Sequence, residues 1–536
     1  MEKRTLAALA VSFLVLAFYP MILQKFYPDY YQTRKPATAK SSPKAPSDIP
    51  PIASSPSPIS AEKFQDGQDL VFQNERLKLQ FNSKGGVIRE ISFPQFIDSE
   101  TRKPLTLISL GSPAGAPTYV RLMDRGGEVQ DFELSSRADA VTAHAALGEI
   151  KIVKEYVFHP DHYGVDFSLR FENNSGSPVE LRYRLSVGNT IPARHSIDNQ
   201  YLEANFYSSE SGKDTLRHIK ETKLGKTVES QGTLHWVAVK DRHFSILVKP
   251  RSGGFKGFVE GLGNHQLNAS LLSEKITVPA HGSVQQEFLL YIGPNEIDEL
   301  LPLRLDPIVN FGKLDAIGRV LVGGLELLHK IFRNYGVSIV VLTVLINLLL
   351  FPLTRLSYLS MKRMQLVQPH MAKLREQHKK NPEKLNKETM ELYKKHKVNP
   401  FGGCLPMILQ MPVFMALYVA LSKSAILINS KLLWINDLSS PDSVVLPWTL
   451  PFLGNQIHVL PLVMVGAMFF QQKFTQVKIE GQDPTIQTQQ KMMTVMMPII
   501  FGFIFYTMPS GLVLYWLTNT VLMTGYQLHL KKLTLV

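Results

Sequence analysis

The sequence predicts a chain of two unlike parts, an α-helical polytopic membrane core and a large all-β domain. From residue 336 onward the chain contains several apolar stretches of about 17 or more residues, the length that a helix needs to cross a bilayer. Residues 62–301 contain no such stretch and instead alternate apolar and polar residues with a period of two, which is typical of strands. With 536 residues, the chain is long enough for both parts.

The N-terminal segment predicts a membrane anchor followed by a tether. Residues 6–23 are apolar for about 18 residues, too long for a typical signal-peptide core, and they follow Lys3 and Arg4. We therefore expect an uncleaved transmembrane helix in residues 1–24 with its N-terminus in the cytoplasm. Residues 25–61 are rich in Pro, Ser, Ala and Lys, a composition that buries too little apolar surface to fold, so they predict a disordered tether.

The next two segments predict a β-domain and an interfacial helix. In residues 62–301, runs such as Val165, Phe167, Leu169 and Phe171 alternate with polar residues and end in turn signals, which predicts a large β-sandwich facing the periplasm. Residues 302–334 change to a helical period with one charged stripe. That pattern favours an amphipathic helix lying in the membrane interface, with a core helix of the β-domain as the alternative.

Residues 335–536 predict a five-helix membrane core with a basic cytoplasmic hairpin. The expected spans cover about 336–354, 401–422, 457–470, 492–508 and 511–528. The insertion at 355–398 carries 12 Lys and Arg against 4 Glu, a net charge of +8, and the positive-inside rule places it and both termini in the cytoplasm. Asn381-Pro382-Glu383 predicts the start of its second helix. Its candidate docking residues are Lys362, Arg363, Lys373, Arg375, Lys379 and Lys380.

Several classes of function are excluded or disfavoured. The single Cys404 excludes an internal disulfide, and no CxxC, HExxH or GxxxxGK[ST] motif occurs, so we expect no enzyme activity, cofactor or metal. All acidic residues after position 302 fall outside the five spans, which argues against a carboxylate relay or an aspartyl protease. The net charge of +13 is concentrated in the hairpin, which reads as a cytoplasmic loop and not as a DNA-binding surface. Ribosomal RNA or anionic lipid is a secondary possibility for it.

Neutral polar residues recur inside the spans. They could be hydrogen-bonding glue between helices, or they could line a hydrated groove. The candidates are Thr343, Asn347, Gln410, Tyr515, Trp516 and Asn519. Methionines form a second set, which fills a core or offers an adaptable apolar surface, and its members are Met407, Met411, Met415 and Met496.

Four sequence motifs carry a family resemblance. The segment NPFGGCLPMILQMPVF at 399–414 resembles the signature of the YidC/Oxa/Alb family of membrane protein insertases, and the order of segments is that of its Gram-negative members. Three shorter matches agree, FPLT at 351–354, QKMM at 490–493 and PSGLVLYW at 509–516.

The resemblance implies an insertase and chaperone for inner-membrane proteins, working alone or with the Sec translocon. It further implies a groove open to cytoplasm and lipid that receives nascent membrane proteins, a hairpin that receives the ribosome or targeting factors, and a β-domain with a supersandwich fold like that of sugar-binding mutarotases.

One position departs from the family pattern. The family usually places an arginine five residues before the proline of FPL, and this chain has Asn347 there. We therefore hypothesise that hydration of the groove, and not a fixed charge, is the retained requirement. Two rival functions stay open, a transporter or channel with a neutral polar lining, and a periplasmic carbohydrate enzyme on a membrane tether.

Overall fold

The structure is a computed structural model that describes residues 64, 67–98, 101–123, 130–192, 196–263, 266–378, 381–396, 405–450, 454–475 and 484–533. The anchor predicted in 1–24 and the tether predicted in 25–61 lie outside this range. The chain divides into two compact units. The first comprises residues 1–56 and 479–493, of which only 484–493 are described, as the beginning of a helix. The second comprises residues 57–478 and 494–536.

The β-domain contains twenty described strands between residues 69 and 294. In chain order they are β1 Asp69–Gln73, β2 Lys78–Asn82, β3 Val87–Ile97, β4 Pro104–Ser109, β5 Val120–Leu122, β6 Glu133–Ser136, β7 Ala140–Leu147, β8 Ile150–Phe158, β9 Gly164–Asn173, β10 Val179–Leu181, β11 Tyr183–Asn189, β12 Glu203–Glu210, β13 Lys213–Ile219, β14 Thr227–Glu229, β15 Thr233–Lys240, β16 Phe244–Pro250, β17 Phe255–Gly263, β18 Gln266–Ser273, β19 Ile276–Val278 and β20 Ser283–Pro294.

These strands form antiparallel sheets. The largest has nine strands in the order β13-β12-β15-β16-β20-β9-β8-β7-β6. A five-stranded sheet has the order β14-β17-β18-β11-β5, a four-stranded sheet runs β1-β2-β3-β4, and β10 pairs with β19. Val165, Phe167, Leu169 and Phe171 of β9 are at most 1% exposed, so the alternation in the sequence correctly predicts which face of this strand is buried.

One face of the nine-stranded sheet packs on both smaller sheets. On that face Tyr156 stacks on Phe167 with ring centroids 4.8 Å apart. Phe81 of the four-stranded sheet meets Tyr156 edge-on at 5.0 Å, and Tyr183 of the five-stranded sheet lies 5.1 Å from Phe171. Each such aromatic pair adds about 0.5–1.5 kcal/mol beyond the burial of its apolar area. The β-domain is therefore a layered sandwich with one aromatic core.

A short connection leads from the sheets to an amphipathic helix. Helix α1 covers Ile297–Leu300, and α2 covers Asp315–Phe332, thirteen residues later than the start of the segment predicted for it. Two 3-10 turns at Asp306–Ile308 and Gly312–Leu314 occupy the difference. One side of α2 is buried among helices of the core, and its other side exposes apolar side chains, which suits a helix in contact with lipid. The exposed residues include Ile317, Val320, Leu327 and Ile331.

The first predicted span and the first arm of the hairpin form one continuous helix. Helix α3 covers Tyr335–Gln377, 43 residues, and begins where the side chain of Asn334 accepts the Val337 amide. We predicted that the span ends at about residue 354 and that the hairpin begins at 355, and α3 runs through this point without a break. It also continues through Pro352, which cannot donate a hydrogen bond to the carbonyl of residue 348. Helix α4, Pro382–Lys395, starts at the predicted cap, with Asn381 accepting the Lys384 amide.

Four further helices complete the described core. They are α5 Leu405–Lys423, α6 Val459–Thr475, α7 Pro484–Phe505 and α8 Ser510–Leu533, each overlapping one predicted span. Within the described chain, the segment 335–357 of α3 is long and apolar enough to cross a membrane, and 459–474 and 494–505 are shorter apolar helices. The loop before α6 contains a hairpin that we did not predict, β21 Val444–Leu450 and β22 Gly454–Ile457.

Candidate functional site

The two polar candidates of α3 are bonded within their own helix. Thr343 is fully buried, and its hydroxyl donates to the Ile339 carbonyl over 2.6 Å. The half-buried Asn347 donates its side-chain amide to the Thr343 carbonyl over 2.8 Å. Hydrogen bonds back to the preceding turn are a common way for such side chains to satisfy their donors. Neither contact links two helices, so among the described residues Thr343 and Asn347 form no hydrogen bond between helices.

Gln410 and Tyr515 do link two helices. The Gln410 side-chain amide on α5 donates to the hydroxyl of Tyr515 on α8. Tyr515 is 1% exposed, so its hydroxyl depends on a protein partner. For Gln410 and Tyr515, the structure favours a hydrogen bond that holds two helices together over side chains that line a hydrated groove.

Trp516 sits in an aromatic cluster. Its ring lies 4.9 Å from Phe414 of α5, 5.3 Å from Phe501 and 5.2 Å from Phe505 of α7. The indole of Trp516 therefore packs α5, α7 and α8 together. It contributes apolar packing and is more than a polar residue of a lining. The sequence signal for this was the spacing of Phe501 and Phe505, which are four apart on one helix face.

Asn519 is the candidate whose side-chain oxygen is an unused hydrogen-bond acceptor. Its Oδ1 is buried and has no hydrogen-bond partner among the described residues. An unpaired buried acceptor costs about 1–3 kcal/mol. Water or a passing peptide N–H would satisfy it. In the described part of the helical core, this oxygen and the hydroxyl of Tyr506 are both buried polar atoms without a hydrogen-bond partner.

The polar candidates lie at one depth of the bundle. Helices α3 and α8 run in the same direction. Near their starts, a Cβ atom placed on Gly511 would lie 3.3 Å from Ile339 Cδ1. Further along both helices, the rings of Phe351 and Tyr526 lie 4.9 Å apart. At about 1.5 Å per residue, Thr343 and Asn347 fall level with the stretch of α8 that carries the other candidates. The polar residues of α3 and α8, with Gln410, thus lie at a similar height along the bundle.

The methionine and hairpin candidates are partly described. Met411 and Met415 are 48% and 40% exposed and Met496 is half-buried, whereas the side chain of Met407 lies outside the described residues. On the hairpin, Arg363 and Lys373 are exposed. The side chains of Lys362 and Arg375, and residues Lys379 and Lys380, lie outside the described part.

One group of side chains in the β-domain has the composition of a metal site. Ligand atoms of His159, Asp161 and His162 lie within 4.8 Å of one another at the turn between β8 and β9. However, His159 Nε2 bonds Asp166 at 2.9 Å, and His162 Nδ1 accepts the Gly164 amide over 3.0 Å. These two hydrogen bonds already engage one ring nitrogen of each histidine, and Asp161 lies 3.9 Å from His162 Nε2, beyond hydrogen-bond distance. We assign no metal to it.

Sequence reasoning missed the junction between the β-domain and the helices. Arg242, 4% exposed, donates to the carbonyls of Ser422 at the end of α5 and of Ser439 in the following loop. Lys423 donates to the Asn310 carbonyl over 2.6 Å. The residues of each pair lie more than a hundred positions apart in sequence, and neither periodicity nor a local motif predicts these contacts.

The fold and the candidate residues define a class, a membrane protein that joins a large all-β domain to a bundle of apolar helices with neutral polar residues inside. Two family profiles cover nearly all of the described chain, "YidC periplasmic domain" at residues 69–323 and "60Kd inner membrane protein" at residues 327–535. The chain belongs to the YidC family of membrane protein insertases, and it is an inner-membrane protein with a periplasmic domain.

Curated relatives match along their whole length. The membrane protein insertase YidC of Pelobacter propionicus is 32% identical over 569 residues, covering 99% of both chains. That of Syntrophus aciditrophicus is 31% identical over 576 residues, covering 99% of this chain and 100% of the relative. A crystal structure of an active YidC insertase with its first transmembrane domain resolved is 21% identical, covers 85% of this chain and 92% of that one, and has a TM-score of 0.35. The predicted fold class, a helical membrane core with a large all-β periplasmic domain, is confirmed.

Proposed function

We propose that this insertase acts without covalent chemistry, by receiving hydrophilic segments of nascent membrane proteins in a groove lined by neutral polar residues. The observation that carries the proposal is the buried, unpaired Oδ1 of Asn519 at the depth of Thr343 and Asn347. An unpaired polar atom within the apolar part of a bundle favours the entry of water. A hydrated site at this depth shortens the apolar distance that a polar segment must cross.

The lining offers hydrogen bonds and no fixed charge. Asn347 can donate and accept, but an amide attracts over a much shorter range than a guanidinium. The groove would therefore accept acidic, neutral and basic segments with little preference. Thr343, Asn347 and Asn519 form the polar side of the proposed groove, and Gln410, Tyr515 and Trp516 hold its helices together.

The hydrophobic part of a substrate would leave along the methionine surface. Met411 and Met415 expose 48% and 40% of their area on α5, one helical turn apart. Unbranched methionine side chains adapt to apolar partners of varied shape, which suits a surface that must accept many sequences. Burial of the substrate's apolar segment in lipid supplies the driving force, at about 25 cal/mol per Å².

The basic hairpin is proposed to meet the ribosome or targeting factors in the cytoplasm, where both chain termini would also lie. Its exposed Arg363 and Lys373 could contact RNA phosphates or anionic lipids. By the same resemblance the chain would also work beside the Sec translocon and assist folding.

The groove is tested by complementation of a strain depleted of its own insertase. We expect Asn347→Arg to support growth, because it keeps the site polar, and Asn347→Leu and Asn519→Leu to lose it. Thr524→Val is the control, since Thr524 lies more than one helical turn beyond Asn519, outside the proposed lining, and its hydroxyl is bonded within α8 at 2.7 Å. Full activity of both Leu variants would overturn the proposal.

Two further experiments separate the rival functions. Stalled nascent chains should crosslink to photoreactive groups placed at Trp516 or Met411, which a small-solute channel would not show. Deletion of about 65–300 should leave most insertion activity if the chain works through its helices, whereas a tethered carbohydrate enzyme would lose all activity.

A further inference from the structure

A small cavity lies where the β-domain meets the outer ends of the helices. It encloses about 80 Å³, several times the ~15 Å³ needed by one water molecule. Its walls come from β12, β15, the loop before α2, and the last residue of α5. Four cationic side chains line it, Lys220, Lys240, Arg242 and Lys423.

The two acidic residues that line the cavity, Asp241 and Glu203, already have partners within the protein. Asp241 accepts the backbone amides of His243 and Phe244, each over 2.7 Å. The Glu203 carboxylate lies 3.0 Å from both His218 Nδ1 and Lys240 Nζ. Burial by itself would raise the pKa of Glu203, but these two partners outweigh it and lower the pKa to about 2. Glu203 is therefore an anion whose Oε1 contacts both His218 and Lys240, and its charge also attracts the nearby Lys423. One carboxylate thus faces several cations, and the cavity keeps an excess of positive charge.

Two lysines of the cavity keep unused donors. Lys423 Nζ donates to the Asn310 carbonyl over 2.6 Å, and Lys220 Nζ donates to the Gln200 carbonyl over 3.3 Å. Neither forms an ion pair with any residue in the described part of the chain. Each ammonium group has three N–H donors, so each has two left. Arg242 beside them is nine-tenths buried and fixed by the carbonyls of Ser422 and Ser439, which makes this wall of the cavity rigid.

The cavity lies between the end of an apolar helix and the start of an amphipathic one. Lys423 is the last residue of α5, and Asn310 precedes α2, whose exposed apolar side chains include Ile317 and Val320. A helix of that kind lies at the boundary between headgroups and acyl chains. An opening beside it is therefore within reach of both lipid phosphates and periplasmic solutes.

We propose that this cavity binds a phosphate group, held between Lys220 of the β-domain and Lys423 of the membrane core. The phosphate could belong to an anionic lipid of the outer leaflet or be free inorganic phosphate. In either case its oxygens accept charge-assisted hydrogen bonds, which are about twice as strong as neutral ones. Bound phosphate would join the two parts of the protein. The proposal is independent of the polar groove and goes beyond it.

The test uses the full-length chain and two probes. Inorganic phosphate is titrated by calorimetry into the protein in a neutral maltoside detergent stripped of lipid. Separately, the protein is placed in nanodiscs of phosphatidylcholine with or without phosphatidylglycerol, and retained lipids are counted by native mass spectrometry after release. The variants are Lys220→Ala, Lys423→Ala and the conservative Lys423→Arg, and the control is Lys431→Ala, an exposed lysine of the adjacent loop.

Two results support a phosphate site and identify its source. Calorimetric binding of phosphate that falls at least tenfold in Lys220→Ala, with no phosphatidylglycerol retained, indicates free phosphate. Retention of one phosphatidylglycerol that is lost in Lys220→Ala and kept in Lys431→Ala indicates a lipid. Lys220 is exposed, so its variant should fold even if Lys423→Ala does not. Absence of both signals in the wild type, or equal signals in wild type and Lys220→Ala, would overturn the proposal.

Discussion

The side chain of Asn429 pairs with the backbone of Ile97 as a neighbouring strand would. Its Oδ1 accepts the Ile97 amide and its Nδ2 donates to the Ile97 carbonyl, both over 2.7 Å. Asn429 lies in the loop after α5 and Ile97 at the end of β3, so this contact ties the loop at the outer ends of the helices to the β-domain. Asn429 adopts φ 58°, a left-handed conformation that asparagine tolerates better than most residues.

Replacing Asn429 should release the Ile97 amide. In Asn429→Ala both bonds are lost, and we expect exchange of the Ile97 amide hydrogen to accelerate about tenfold, in line with about 1–1.5 kcal/mol for one hydrogen bond. Asn429→Asp keeps the acceptor and should protect the amide. Peptide-resolved hydrogen exchange in detergent reads out the difference, and unchanged exchange in Asn429→Ala would show that the pairing contributes nothing.

The bond from Gln410 to Tyr515 should be measurable as a coupling energy. Gln410→Leu leaves a buried hydroxyl without its partner, and Tyr515→Phe leaves the amide without its acceptor, so each single change should destabilise the chain by about 1–2 kcal/mol. The double variant should cost less than the sum, with a coupling of about 0.6–1.7 kcal/mol. Unfolding free energies of the wild type, the two single variants and the double variant in mixed detergent give the double-mutant cycle. If the two single destabilisations simply add in the double variant, the hydrogen bond between these residues is contradicted.

The stability of the β-domain should depend on Glu203 at acid pH. Its pKa of about 2 in the folded chain lies below the ordinary 4.5, so the carboxylate contributes stability that is complete above pH 4.5 and is lost as the pH falls toward 2. The contribution is about 3 kcal/mol at neutral pH. Glu203→Gln should flatten the pH dependence of the urea midpoint in this window. Glu229→Gln, which alters an exposed pair with Lys256, should leave it unchanged.

Two nearby glycines provide a matched test of packing in the β-domain. A Cβ atom at Gly257 would lie 2.8 Å from Phe206 Cε1 and 2.9 Å from Val237 Cγ2, whereas one at Gly253 would meet no atom within 4 Å. We expect Gly257→Ala to lower the free energy of unfolding by about 1–3 kcal/mol and Gly253→Ala to change it by less than about 0.5 kcal/mol. Thermal unfolding of both variants checks this, and equal midpoints would contradict the predicted clash.

Local patterns predicted the elements of this fold well where one pattern dominates. The alternation in β9 and the cap at Asn381 act over a few residues, and the structure contains both as expected. The predicted change from span to hairpin at residue 355 falls inside one helix. A proline removes one hydrogen bond, but the remaining bonds and the flanking helix formers keep α3 continuous through Pro352.

The candidate site was predictable in composition and less so in arrangement. Neutral polarity within apolar spans selected the candidates, yet it could not tell Asn519, with its unpaired oxygen, from Gln410, which is bonded across helices. That difference depends on which helix lies opposite, a long-range property. The same holds for the contact of Arg242 with Ser422, which joins segments with no shared local signal.

The 43 residues of α3 form a rod roughly 65 Å long at 1.5 Å per residue, about twice the thickness of the bilayer's hydrocarbon core. Its outer half carries Thr343 and Asn347, and its inner half is an arm of the basic hairpin. The apolar segment 335–357 covers about half of this length. No loop separates it from the hairpin arm, although Pro352 and Pro369 each interrupt the hydrogen bonds of the helix. The rest of α3 therefore carries the arm roughly 30 Å beyond the apolar segment.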